Sequence, residues 1–69
     1  MDAALRRRVA REAANILYLG IEKEYRQAKL RAAETLGLNV LPTNLEVAME
    51  LNKIAKKTRA LHVWNASSK

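Results

Sequence analysis

The stretch LGLNVLPTNLEVAMEL, residues Leu36 to Leu51, holds the only proline of the chain and one of its two glycines. It reads as a stop, a corner and a start. Gly37 can take the left-handed backbone that closes a helix C-terminus, and Leu38 can fold back onto Ala32 or Ala33 in a Schellman closure. Pro42 pushes Leu41 out of helical conformation. Thr43-Asn44-Leu45-Glu46 has the form of a capping box. The Thr hydroxyl accepts one unpaired backbone N–H, and the Glu carboxylate reaches back to the Thr backbone.

Upstream, residues 3–36 lack proline and are dense in Ala, Leu, Arg, Lys and Glu, the strong helix formers. Leu5, Val9, Ala13, Ile16, Leu17, Ile21, Tyr25, Ala28, Ala32 and Leu36 recur at steps that trace one helical stripe. The pattern predicts one long helix over about 3–36, N-capped by Asp2, with Gly20 as the point for a kink or a close helix contact. Downstream, Val47, Ala48, Leu51, Ile54, Ala55, Thr58 and Leu61 predict a second helix over about 44–62. The expected fold class is therefore all-α: an antiparallel helical hairpin around a turn at 37–43. Residues 1–64 form a single domain on this reading, and 65–69 a frayed tail.

A chain of 69 residues is at most one marginal domain, and no staple is visible. There is no cysteine to form a disulfide, and a single histidine makes no metal site. Much of the apolar content is alanine and none is phenylalanine, so the core buries little area per residue and a partner surface is expected to help.

The formal charge is +6, from 13 Lys+Arg against 7 Asp+Glu. That balance favours an anionic partner, nucleic acid above all. Residues 32–52 carry three glutamates and no lysine or arginine. The cations gather in Arg6, Arg7, Arg8 and Arg11, and in Lys53, Lys56, Lys57 and Arg59. A hairpin turned at 37–43 would bring both clusters to the end away from the turn. The unpartnered half of helix one, about 3–15, would project as an arginine-loaded rod suited to phosphate contact. Tyr18 and Trp64 would fall near that end, with faces available for base stacking.

Catalysis finds little support. His62 is the only histidine, Asp2 the only aspartate, and the serines are Ser67 and Ser68. No nucleophile–base pair and no glycine-rich phosphate cradle assembles from these. Glu22 and Glu24 diverge on a helix. No cofactor is implied. No apolar run approaches the ~20 residues that span a bilayer, and residues 3–15 are too poor in bulky apolar side chains to lie on one. The cytoplasm is the expected location.

Glu12 to Ala55, EAANILYLGIEKEYRQAKLRAAETLGLNVLPTNLEVAMELNKIA, resembles the helical segment that precedes the catalytic domain in archaeal nucleotidyltransferases of the polymerase-β-like superfamily. The pieces YLGIEKEYRQAKLRAAETLG and LPTNLEVAMEL carry the likeness. It implies an archaeal origin and a helical hairpin. That family's activity resides in a downstream Gly-Ser motif and paired magnesium-holding aspartates, and neither occurs in residues 1–69. Two functional readings stand. The first is a non-enzymatic protein that binds structured RNA, such as ribosomal RNA or the ribosome, through Arg6, Arg7, Arg8, Arg11, Lys53, Lys56, Lys57, Arg59 and Trp64. The second is a module that self-associates as a four-helix-bundle dimer or docks on a partner protein, including as an accessory or fragment of a nucleotidyltransferase.

Overall fold

A computed structural model describes the backbone of residues 2–67 and the side chains of residues 3–57. It contains three helices and, among the described residues, no strand: α1 (Asp2–Tyr18), α2 (Tyr25–Leu36) and α3 (Asn44–Ser67). The all-α class stands, but the long first helix is two helices. Gly20 is a corner rather than a kink.

The physical reason lies in residues 16–21. Gly20 has φ +78°, in the left-handed region. Its N–H donates to the Leu17 carbonyl at 3.1 Å, and the Ile21 N–H donates to the Ile16 carbonyl at 3.0 Å. This pair of bonds is a Schellman closure. It recurs one helix later, where Gly37 (φ +69°) donates to Glu34 at 3.2 Å and Leu38 donates to Ala33 at 2.9 Å. The chain thus ends two helices with the same triplet, Leu-Gly followed by a branched aliphatic residue. A continuous helix would keep its ladder through 19–24 but leave the apolar face of residues 3–15 in water. Turning at Gly20 satisfies the helix-end carbonyls locally and lets α1 be buried. The corner is then held by Glu22, whose carboxylate accepts from Arg31 Nε of α2 at 2.9 Å.

α1 is consequently the central element, packed along both α2 and α3, which meet each other only slightly. It runs parallel to α3. Arg6 near its start meets Glu46 in the first turn of α3, and Arg11 further along lies across from Lys57. The expected projecting half-helix is therefore the heart of the fold. Its Val9, Ala10, Ala13, Ala14 and Ile16 are buried together with Ala28, Ala32 and Ala33 of α2 and Val47 of α3. Six of these nine are alanines, so the helices are joined by close backbone approach more than by bulk. Leu17, Tyr25, Leu36, Leu38, Leu51 and Ile54 close the edges.

α3 begins as its sequence predicts. The Thr43 N–H donates to Glu46 Oε1 at 2.8 Å, and the Glu46 N–H donates to Thr43 Oγ1 at 3.1 Å. Pro42 and Val47, the two positions a hydrophobic staple uses, are both buried. The other oxygen of Glu46 accepts from Arg6 at 3.2 Å. The Thr43 backbone N–H and, after it, the Arg6 charge hold the Glu46 carboxyl below its ordinary value of 4.5, against a partial desolvation that raises it. α3 continues to Ser67, past the expected end near residue 62, so residues 65–67 are helical rather than a tail. The proposed cap side chain of Asp2 lies outside the described residues, as do Ser68 and Lys69.

Two outcomes follow from these joints. If residue 20 sat inside a continuous helix, Gly20→Ala would stabilise the protein by about 1 kcal/mol. In the left-handed conformation the same change destabilises by about 1 kcal/mol or slightly more, from backbone strain alone, since a Cβ there meets nothing within 4 Å. Urea denaturation reads the sign. At the other joint, Thr43→Ala costs about 1 kcal/mol. Because the Glu46 carboxyl titrates lower folded than unfolded, its contribution is complete above about pH 4.5 and fades as pH falls through the folded-state value. The stability gap between the wild type and Glu46→Gln, followed by urea midpoints from about pH 7 to about pH 3, is therefore expected to narrow on the acid side.

Candidate nucleic-acid interface

The break at Gly20 also decides where the cations go. With α1 parallel to α3, residues four apart on each helix face one another across a shallow groove. Arg7 and Arg11 stand on the α1 side, Lys53 and Lys57 on the α3 side, with Glu50 and Ile54 completing a trough of about 330 Å³. A second hollow of about 250 Å³ continues it toward the start of both helices and shares Arg7, Glu50 and Lys53. There Ala3, Ala10 and Met49 join the lining. The groove is basic at one end, and at the other Ala3, Ala10 and Met49 are mixed with Glu46 and the shared charged residues.

Of the nine residues expected at the site, the fold brings four together: Arg7, Arg11, Lys53 and Lys57. Arg6 is drawn into the Glu46 ion pair beside the cap of α3. Arg8 and Lys56 are exposed but do not line the groove. The side chains of Arg59 and Trp64 lie outside the described residues. The location also differs from expectation. The cations line the flank of the α1–α3 pair, not an end remote from the turn, because α1 folds back and places Arg6 next to the 37–43 connection. Nor is the cation-free segment 32–52 left without cationic partners, since Glu46 of α3 is paired with Arg6 and Glu50 of α3 with Lys53 at 3.3 Å.

Glu50 is the feature of the groove that sequence reasoning missed. It partly neutralises Lys53, while Arg7, Arg11 and Lys57 have no acidic partner within 4 Å among the described residues. The recurring Leu-Gly-aliphatic triplet was the available signal: reading Gly20 as the same stop as Gly37 makes α1 and α3 neighbours and pairs the two rows of cations. Guanidinium and ammonium groups held in two facing rows make a site for several phosphates along a chain.

Among the described residues, no group of three or more His, Cys, Asp or Glu side chains comes close enough to hold a metal ion. No helix among them is long and apolar enough to cross a membrane. No family model matches the chain, and no match is found among curated proteins or solved structures. The likeness to nucleotidyltransferase helical segments therefore rests on the quoted residues alone.

Proposed function

We propose that the protein is a non-enzymatic RNA-binding module that recognises structured RNA, ribosomal RNA being the favoured class, through the groove between α1 and α3. The observation that carries this reading is the pairing of Arg7 and Arg11 with Lys53 and Lys57 across one trough in a chain of net charge +6. A merely solvated charged surface has no need to gather like charges from two helices, because each repels the others and weakens the interface between them. Phosphates spaced along a backbone relieve that repulsion. With about four phosphates neutralised, log K for a structured RNA falls against log salt with a slope near −3. The double variant Arg7→Gln, Lys57→Gln lowers the steepness by about 1.5. A flat salt dependence, or a slope that the double variant leaves untouched, overturns the reading.

Self-association is the second reading, and a separate observation favours it. Leu45 and Met49, 70% and 54% exposed, stand four apart on the first turns of α3, and Leu41, 48% exposed, lies in the connection just before it. Three large apolar side chains in water are a poor match to a core built on alanine, and a second copy would cover them. Sedimentation of the RNA-free protein distinguishes the two. A dimer that Leu45→Glu converts to monomer supports this reading; a monomer across the micromolar range removes it.

A further inference from the structure

One carboxylate stands where a phosphate site has least use for it. Glu50 lines both hollows of the groove, together with Arg7 and Lys53, and so sits at its middle. Its side chain is only 14% exposed. Glu46 and Glu50 share a face of α3, one turn apart, but are engaged differently. Glu46 bridges two helices, accepting from Arg6 of α1 at 3.2 Å, and its other oxygen serves the cap. Glu50 accepts only from Lys53 of its own helix, through Oε2 at 3.3 Å, and meets no cation of α1 within 4 Å. It therefore does not tie α1 to α3, and an ion pair within one helix turn contributes little to stability. Among the described residues its Oε1 accepts no hydrogen bond, and that atom is not sealed from solvent. The groove thus presents one free acceptor among four cations.

We infer that Glu50 selects RNA over DNA in this groove, its free oxygen accepting a hydrogen bond from a ribose 2′-hydroxyl; the inference rests on the RNA reading above. The chemistry of the strand leaves few alternatives. A phosphate brings acceptors and negative charge, so the cations hold it and Glu50 repels it. The 2′-hydroxyl is the one hydrogen-bond donor on an RNA sugar–phosphate backbone, and deoxyribose lacks it. Phosphate and ribose alternate along a strand. A strand whose phosphates lie on Arg7, Arg11, Lys53 and Lys57 therefore carries riboses past the middle of the groove, where Glu50 stands. Base amino groups are the other donors that a nucleic acid offers, and RNA and DNA share them. With DNA in the groove the carboxylate gains no donor from the backbone and only repels, so the preference arises from both sides.

The test uses the full chain and three hairpins of one base sequence: RNA, RNA with 2′-fluoro in place of each 2′-hydroxyl, and DNA. The fluoro form keeps the shape of RNA and removes the donor. Fluorescence anisotropy is expected to show RNA bound about tenfold more tightly than either of the others, the effect of one hydrogen bond to a charged group. Glu50→Gln keeps the side-chain shape and a neutral acceptor, which guards against a simple folding defect. It tightens binding of all three and narrows the preference to about threefold, because a neutral hydrogen bond is about half as strong. Glu50→Leu abolishes the preference and keeps the steep salt dependence of the groove. If Glu50 serves only Lys53, each substitution changes the three affinities by one common factor and the preference survives. That result, or equal binding of RNA and its 2′-fluoro form by the wild type, overturns the inference and leaves the phosphate groove standing. If none of the hairpins binds in a salt-dependent way, both fall together.

Discussion

The structure hangs on the left-handed backbone at Gly20. Apart from Gly20, nothing in the composition stops a helix at Tyr18: its neighbours Leu17 and Leu19 are good helix formers, and α2 starts without a side-chain cap, the N-cap residue Glu24 being extended and making no capping bond. What ends α1 is a local closure, two N–H groups turned back onto the carbonyls of Ile16 and Leu17, and glycine is the residue that adopts the necessary φ without strain. From that corner follow the antiparallel return of α2, the central position of α1 and the pairing of α1 with α3.

The core that results is unusual in its economy. Among the described residues, Val9 and Val47 are the largest side chains buried completely, and six of the nine buried apolar residues are alanines. Such a core gains little from each side chain and relies on short helix–helix distances, which in turn leave little tolerance for errors in where the helices begin and end. The closures therefore carry much of the definition of the fold. Glu46 shows how tightly these duties are combined, since one carboxylate starts α3 with one oxygen and receives α1 with the other.

The start of α3 was fully legible in the sequence, because a capping box and a proline are local signals whose meaning does not depend on neighbours. The end of α2 at Gly37 was legible for the same reason. The end of α1 was not, because a single apolar stripe runs without interruption from Leu5 to Leu36 and periodicity alone cannot distinguish one helix from two that share a phase. The stripe was also incomplete: α1 is covered on two sides, so Ala10 and Ala14 are buried alongside Val9 and Ala13, while Ile21 on the stripe is exposed. Arg7, Arg11, Lys53 and Lys57 were identified by type and cluster, but their facing arrangement depends on a contact between helices more than 40 residues apart in sequence.

A groove whose two walls belong to different helices ties occupancy to folding. The cations of α1 and α3 are held near one another only while the two helices are docked, and in the empty groove their mutual repulsion works against that docking. Any polyanion seated between them reverses the sign of this contribution and binds the folded chain in preference to the unfolded one, raising its stability as RT ln(1 + [L]/Kd). For a domain whose described buried residues are mostly alanine, thermodynamic linkage of this kind would make a bound polyanion, in effect, a missing part of the core.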